Sequence, residues 1–463
     1  MMKLIETQPL NTDSPRMINS TKVHIDKARN DLTVFFLLAH IPLGFLLNTS
    51  NIISTMHAII TMVVGLVFAL DKKPYKMIYL MGYITGAELL WRATDASIFW
   101  ETGKYAITLF SILGILLHKK NSKPTIIPLI YFLLLLPSIL ILPIFDREAI
   151  AFSLAGPMAL AFSIIYFYKL PFTQIHFKNL LLAILAPIIS WGFLVLTGIV
   201  TADEIVFSSG SNFATSGGIG PNQVSSILGL GALVCFFLIM IESKKKFLQL
   251  FYGLIMVWLI VQTFLTFSRG GLWTTAGAIL ASSFFLLRNK KARTRYIITL
   301  TVSILLFSFF LFPTINDFTG GSLAERFKDV EPTGRIEIIL SDIEVFKMYP
   351  LFGVGPLQSK PFHAIYFRYS STHTEYSRML AEHGIFGLFS LLLLFSLLIN
   401  RLMIKTNAFN KAFIIGLVMW GFLFMAHAAT RLVAPSMLIG MSFLNFTLEE
   451  TFRKDKQISG YAK

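Results

Sequence analysis

Three groups of residues have the types and spacing to do chemistry. The first is Phe267-Ser268-Arg269-Gly270-Gly271, a tight connection between two strongly apolar runs. A guanidinium held there can take two phosphate oxygens at once, and the paired glycines would let a ligand come close to the backbone. The alternative is a loop arginine whose head snorkels to lipid headgroups. The second group runs from Glu325-Arg326-Phe327 through Gly334-Arg335 to Pro350-Leu351-Phe352-Gly353-Val354-Gly355-Pro356. Arg335 opens a segment of helical spacing, where a cation gains nothing from the helix dipole, so another demand selects it or it is a solvated loop charge. The Gly-Val-Gly segment lacks the strand–helix setting of a nucleotide-binding turn. The third group is Ser371-Thr372-His373-Thr374-Glu375-Tyr376, with Glu382-His383-Gly384 following in the same run. His373 stands at the mouth of an apolar stretch, where an imidazole can accept a proton near neutral pH. Its spacing to Tyr376 and Ser377 would put these side chains on one helical face. The plainer reading of a lone interface histidine is structural.

The elements that must position these groups are membrane helices. Of the 463 residues 55% are hydrophobic and 14% charged, against about 25% charged in an ordinary soluble domain. The apolar residues fall in long runs such as 131–142 and 388–398 without a polar face, which excludes a set of water-soluble globular domains. A span needs roughly 20 predominantly apolar residues. About fourteen stretches qualify, near 31–48, 52–70, 74–91, 105–117, 125–144, 149–168, 179–199, 222–241, 247–267, 272–287, 297–313, 376–399, 412–428 and 432–448, so about 12–14 spans are expected in an all-α bundle. The lone Cys235 allows no disulfide framework. A net charge of +15 would suggest nucleic acid in a soluble chain, but here the basic residues sit at the ends of apolar runs, and no nucleic-acid partner is expected.

The placement of those basic residues sets the threading. Every second connection is rich in Lys and Arg: Lys72, Lys73 and Lys76; Lys119, Lys120 and Lys123; Lys169 and Lys178; Lys244–Lys246; Arg288 to Arg295; and Arg401, Lys405 and Lys411. With the two tails these hold most of the 40 Lys and Arg, which by the positive-inside rule puts both termini in the cytoplasm. The expected organisation is a cytoplasmic tail over 1–30, a transmembrane bundle over 31–313, a long external loop over 314–374, C-terminal spans over 375–448 and a cytoplasmic tail over 449–463. The first 30 residues lack an apolar core with a cleavage site and do not read as a signal peptide. The Gly-, Ser- and Asn-rich stretch 201–221 reads as irregular external loop. Within the long loop, Ile336, Ile339, Leu340, Ile343 and Phe346 recur at helical spacing. They predict an amphipathic helix over 335–348, bounded by Pro332-Thr333-Gly334 and Pro350, lying on the membrane surface or on the bundle.

Taken together the three groups resemble the bacterial O-antigen ligase and polymerase superfamily. The order is SRGG between two spans, a long external loop with GR, a helix and YPLFGVGP, then HTEYSRMLAEHGIFG. The ligase signature reads here as His373, Thr374, nine residues, Gly384, two residues, Gly387; the usual second residue is Asn, Ser or Gln, so Thr374 departs from it. The likeness is most specific over about 200–400 and includes Gly220-Pro221-Asn222. Trp91-Arg92 and Trp100-Glu101-Thr102-Gly103-Lys104 match more loosely.

The resemblance implies an all-helical, C-type glycosyltransferase-like fold in the bacterial inner membrane. It implies transfer of a glycan from an undecaprenyl-diphosphate carrier to an acceptor hydroxyl at the periplasmic face, with inversion and with no metal, nucleotide sugar or other cofactor. Arg269 and Arg335 would hold the diphosphate, and His373 would act as general base or orient the acceptor. Arg326, Glu375 and Asn222 would make further substrate contacts. Ligase and polymerase differ only in the acceptor, lipid A-core or similar against a second lipid-linked glycan, and both stay open: fourteen spans lean to polymerase, the histidine signature to ligase. A lipid-linked oligosaccharide flippase is the competing class. It would be expected to carry charged residues inside spans and to show repeated halves, whereas the unusual residues here gather in connections.

Overall fold

The computed structural model describes residues 30–118, 125–201, 205–207, 210–243, 245–328, 334–366 and 372–448. The expected tails, the basic groups at Lys119, Lys120, Lys123 and Lys244, the Pro332-Thr333 breaker and Ser371 lie outside the described residues.

Long apolar runs free of turn residues give long helices. In chain order these are α1 (Asn30–Asn48), α2 (Asn51–Ala69), α3 (Tyr75–Ala93), α4 (Thr102–His118), α5 (Ile127–Ile141, ending in a 3-10 turn) and α6 (Arg147–Phe167). Then come strand β1 (Pro171–Thr173), α7 (Gln174–Thr201), α8 (Pro221–Ile241), α9 (Lys246–Leu265) and α10 (Arg269–Leu286). They are followed by α11 (Lys290–Phe318), α12 (Ser322–Lys328), α13 (Arg335–Met348), α14 (Lys360–Tyr366), α15 (Glu375–Leu402), α16 (Ala408–Ala428), α17 (Ala434–Ser442) and strand β2 (Asn445–Thr447). Helix starts are capped as their sequences dictate. Asp146 accepts from the Glu148 and Ala149 amides at 2.9 and 3.1 Å, and Asn289 from those of Lys291 and Ala292. Pro221 opens α8, where its missing N–H costs nothing. The two strands pair in parallel, Phe172 opposite Phe446, and tie the end of the α17 segment to the start of α7.

The chain is a polytopic helical membrane protein. Among the described residues nine helices are long and apolar enough to cross a membrane: α1, α2, α6, α7, α8, α9, α11, α15 and α16. Each expected segment contains a helix, although the last, 432–448, is helical only over Ala434–Ser442 before β2, and five fall short of that standard. The α4, α5 and α17 helices are brief, while α3 and α10 carry polar residues such as Glu88, Arg92, Thr274 and Ser282. Their polarity has a physical reason: these side chains are turned into protein, so no lipid-like surface is required of them. Helix α8 is central, buried along almost its whole length. Helix α11 lies at the periphery with no buried residue in its apolar stretch. Exposed Phe, Leu, Ile and Val are numerous on α1, α2, α9 and α11, as a lipid-facing surface requires.

The α13 helix spans Arg335–Met348 as its spacing predicts, but its buried face is different. Ile338, Ser341, Asp342 and Val345 face inward, while Ile336 and Leu340 are 51% and 56% exposed. A buried polar anchor at Asp342 sets the rotation of the helix, overriding the apolar stripe.

Helix α15 breaks at Gly384, whose φ of 58° and ψ of −136° lie outside helical space. That conformation is essentially confined to glycine. The break frees two carbonyls, and the Gly-Val-Gly segment fills them. The Val354 amide donates to Ala381 O at 2.9 Å and the Gly355 amide to Glu382 O at 3.0 Å, while the Ile385 amide donates to Pro350 O at 2.7 Å. At Gly387 a Cβ would stand 1.8 Å from Met379 O. Both glycines of the histidine signature therefore serve the backbone of the break. Gly384→Ala places a Cβ 2.6 Å from Gly353 N and Pro350 O. With the strained φ it is expected to cost roughly 1–3 kcal/mol or more, seen as a lower unfolding midpoint and a reduced yield of monodisperse detergent-solubilised protein.

Candidate active site

The site is assembled around the turn between α9 and α10. Phe267 adopts a positive φ of 55°, its buried ring stacked on Phe207, so the chain reverses and presents Ser268 and Arg269 at the start of α10. The loop before α8 fastens this turn from outside: the Thr215 hydroxyl donates to Leu265 O at 2.5 Å and the Asn212 amide to Thr266 O at 3.0 Å. Within the turn a relay of neutral groups runs from α10 to α8. The Gly271 amide donates to Ser225 Oγ at 3.3 Å, Ser225 Oγ donates to Ser268 Oγ at 3.0 Å, and Ser268 Oγ donates to Asn222 Oδ1 at 2.7 Å.

Three arginines meet here. Arg269 belongs to the turn itself. Arg326, from α12, is 7% exposed and donates through Nε to Phe267 O at 3.0 Å. Arg335, the first residue of α13, donates through Nη2 to the same Asn222 Oδ1 at 3.4 Å. Burial, followed by the charges of Arg269 and Arg326, holds the Arg335 guanidinium below its ordinary range. Among the described residues no carboxylate is found acting on it. An anion brought to this turn would be attracted by all three guanidinium groups, and more strongly in reduced dielectric than in water.

The sequence places Arg269, Arg335, Arg326 and Asn222 as candidates, and the structure brings all four together. The glycines after Arg269 do something other than expected. A Cβ at Gly271 would lie 2.1 Å from Ser225 O, and one at Gly270 2.7 Å from His427 Nδ1. They let α8 and α16 close on α10, and their space is filled by protein rather than by a ligand.

His373 precedes α15, with Thr374 capping the helix by accepting from the Tyr376 amide; it therefore shares no helical face with Tyr376 and Ser377. Tyr376 Oη donates to Phe422 O at 2.8 Å and Ser377 Oγ donates to Asp342 Oδ2 at 2.5 Å. The His373 backbone is pinned to the turn after α16. Its carbonyl accepts from the Ala429 amide at 3.0 Å, and Arg431 Nη2 donates to the neighbouring Thr372 O at 3.0 Å. That turn is the link to the arginines, since the charge of Arg335 reaches both His427 and Arg431. A second clamp works from below: Asp342 of α13 accepts from the Thr372 hydroxyl at 3.2 Å and from Ser377, and His363 Nε2 of α14 lies 2.7 Å from Asp342 Oδ1, all fully or nearly fully buried. Asp342 thus joins the helix that carries Arg335 to the turn that carries His373.

Glu375 is placed apart from the arginine cluster. It is fully buried, its carboxylate held by Arg378 at 2.6 and 3.1 Å and by the amide and hydroxyl of Thr430 at 3.2 Å each. Arg378 also pairs with Glu382 at 2.6 Å and donates to Ser153. His383 Nδ1 lies 2.7 Å from Ser138 Oγ, away from the cluster. These groups build the wall behind the site.

Sequence reasoning passed over His427, which lies between Gly270 and Arg335's field with Nε2 at 2.8 Å from Thr274 Oγ1. Ionisable residues inside spans are the ones expected to be functional, and this signal was available. Arg431 had no local signature. Its guanidinium is held below the ordinary range by burial and by the charges of Arg378 and Arg335. Among the described residues no group of His, Cys, Asp or Glu side chains is placed to hold a metal ion.

Residues 254–392 are similar to the Wzy_C family, described as O-Antigen ligase. Proteins of this family are membrane enzymes that transfer lipid-linked glycans, of ligase or polymerase type. No curated protein matches the chain. The matched stretch holds Arg269, Arg326, Arg335, His373 and Glu375, while Asn222, His427 and Arg431 come from outside it.

A mutation series separates wall from site. Arg378→Ala leaves Glu375 and Glu382 buried without their cation and is expected to destabilise by about 3–5 kcal/mol, read as a fall in the unfolding midpoint. Adding Glu375→Gln and Glu382→Gln should restore much of that loss. Failure of the triple variant to recover would mean that Arg378 acts otherwise than as their partner.

Proposed function

We propose that this chain moves a glycan from an undecaprenyl-diphosphate carrier to an acceptor hydroxyl at the periplasmic face of the bacterial inner membrane, with an O-antigen ligase's acceptor, lipid A-core or a similar molecule. The observation that carries the reading is the convergence of Arg269, Arg326 and Arg335 beside an apolar groove. That groove, of about 410 Å³, runs between α8, α9, α10 and α11 and is lined by Phe264, Gly271, Trp273, Phe307 and Phe327. Gly271 lies two residues from Arg269, and Phe327 adjoins Arg326. Cations at the head of a lipid-like groove suit an amphiphile with an anionic head and a hydrocarbon tail.

In this mechanism the acceptor oxygen attacks the anomeric carbon from the face opposite the diphosphate. The bond from that carbon to the diphosphate oxygen breaks as the new glycosidic bond forms, inverting the centre. The acceptor's proton passes to His373, and lipid diphosphate leaves with the bonding electrons. The arginines bind the diphosphate before the reaction and hold it more strongly as its charge grows, which is what lowers a barrier. The fixed relay through Asn222, Ser268 and Ser225 keeps them oriented without carrying charge itself. The reaction as written asks for no metal and no nucleotide. Polymerase activity differs only in taking a second lipid-linked glycan as acceptor.

Reconstitution with undecaprenyl-diphosphate-linked glycan and acceptor, with neither metal nor nucleotide added, tests the reading. Release of undecaprenyl diphosphate with glycan on the acceptor is expected. The rate should fall about 10²–10³-fold in Arg269→Ala and Arg335→Ala, the scale of one lost transition-state donor, and about 10²–10⁴-fold in His373→Ala. Labelled product of growing glycan length would assign a polymerase. Passage of intact glycan-lipid across the bilayer without transfer overturns the reading in favour of a flippase.

The orientation has its own test. With Cys235→Ser as background, Asp95→Cys should react with an impermeant maleimide in intact spheroplasts and Lys291→Cys only after permeabilisation. The reverse pattern would put the site on the cytoplasmic side.

A further inference from the structure

A second concave site lies beside the arginine cluster, at the turn between α3 and α4. It encloses about 230 Å³ and is lined by Glu88, Trp91, Arg92, Asp95, Phe99 and Trp100 among others. This is smaller than the roughly 300–1,000 Å³ of pockets for drug-sized ligands, and suits a single ring. Its frame is rigid. Thr94 Oγ1 lies 2.5 Å from Ser54 Oγ, the Ser97 amide donates to Thr55 Oγ1 at 2.7 Å, and Trp91 Nε1 donates to His57 Nδ1 at 2.9 Å. Glu88 and Arg92 pair at 2.8 Å, Glu101 pairs with the fully buried Lys104, and Glu88 also accepts from the Val433 amide at 2.7 Å.

Two residues of this frame are not explained by the fold. Asp95 follows the C-terminus of α3 in a left-handed conformation, φ 50°, while the Ala96 amide donates back to Trp91 O at 3.0 Å. Glycine is the residue this cap favours, and a carboxylate there faces the negative end of the helix dipole. Asp95 is nevertheless exposed at the cavity. Trp100 has the Arg92 guanidinium 4.6 Å from its ring centroid on one side, yet 56% of the residue is exposed. An aromatic face with a carboxylate beside it is what a pyranose needs: the ring's C–H face packs on the indole, and its hydroxyls donate to the carboxylate.

The cavity is joined to the arginine site through one side chain. Arg92 Nη1 donates to Gln223 Oε1 at 3.3 Å and to Arg431 O at 3.1 Å. Gln223 adjoins Asn222, which holds Arg335, and Arg431 holds the residue before His373. We infer that the α3–α4 cavity is a sugar-binding subsite, with Trp100 as stacking platform and Asp95 as hydroxyl acceptor, that seats a glycan ring next to the diphosphate site. The inference rests on the glycan-transfer reading and adds to it the place where a sugar is held. An interfacial tryptophan that merely anchors the protein in the headgroup layer would account for Trp100 but would give Asp95 no part.

The test uses full-length protein in proteoliposomes and three variants: Trp100→Ala, Asp95→Asn and Asp95→Gly. Binding of undecaprenyl-diphosphate-linked glycan extracted from host membranes is compared with that of undecaprenyl diphosphate, and the KM for acceptor is measured in the transfer assay. Asp95→Gly relieves both the backbone strain and the helix-end repulsion, so it should unfold at a higher temperature while losing sugar affinity, opposite signs that a structural role does not produce. Each variant is expected to weaken glycan-lipid binding about tenfold, the order of one hydrogen bond to a charged group, with undecaprenyl diphosphate bound as by the wild type. That outcome places the donor's sugar in the cavity. Unchanged lipid binding with an acceptor KM raised about tenfold places the acceptor's sugar there. Equal weakening for both lipids, or no change in any of the three measurements, overturns the subsite. Wild-type protein that binds neither lipid overturns the glycan-transfer reading itself.

Discussion

Three guanidinium groups meet at one turn, and two of them donate to neutral acceptors there. Phe267 O takes Arg326, Asn222 Oδ1 takes Arg335, and Arg269 opens α10 at the same turn. The rest of the bundle serves this arrangement. A neutral acceptor orients a guanidinium without cancelling its charge, so the field of the cluster stays available to an incoming anion. The tight contacts of α10 with α8 and α16 through Gly271 and Gly270 bring Asn222 and His427 to the turn. The loop preceding α8 locks it from the other side.

Other cations in the same protein show what the alternative looks like. Arg378 lies between Glu375 and Glu382, Arg92 against Glu88, and Lys104 against Glu101. Each is neutralised by a carboxylate, and each fastens helices or turns. Arg378 binds the 430 turn through Glu375; Arg92 joins α3 to α8 and to Arg431. Buried pairs of this kind are seldom strongly stabilising in net terms but are costly to break, which suits elements whose relative position must not drift. The fold thus keeps apart the carboxylate pairs that set geometry and the turn at which Arg335 feels the charges of Arg269 and Arg326.

Much of this was legible in the sequence because polar residues are rare in apolar chains. Arg269, Arg335 and Arg326 were singled out by type and position, Asn222 by the family resemblance, and the boundaries of the 335–348 helix by its flanking breakers. What eluded the sequence was of a different physical kind. The apolar stripe of α13 pointed to Ile336 and Leu340, yet burial of Asp342 with His363, Thr372 and Ser377 turned them outward. A satisfied buried carboxylate outweighs two leucine-sized side chains that lose little by facing lipid or an interface. Glu375 looked like a site group from its neighbours in sequence, but its partners, Arg378 and Thr430, engage both its oxygens. The convergence of α8, α10 and α16 is a long-range packing event. No spacing rule reports that Gly270 lies beside His427, more than 150 positions along the chain. The span count differs for a related reason: nine described helices reach the length and hydropathy of a span, while α3 and α10 carry polar side chains that are buried in protein.

Helix α13 also acts as a ruler. Arg335 stands at its first residue and Asp342 seven residues on, about two turns or roughly 10 Å along the axis. The far end is bolted to α14 and α15 through Asp342, so the near end can set the guanidinium only where helix length and phase permit. One residue added or removed between them would shift Arg335 by about 1.5 Å and swing it by about 100° around the axis. Substitutions on the outer face at Ile336 or Leu340 leave both quantities untouched. For this helix, length is the functional variable, and the composition of its outer surface is comparatively free.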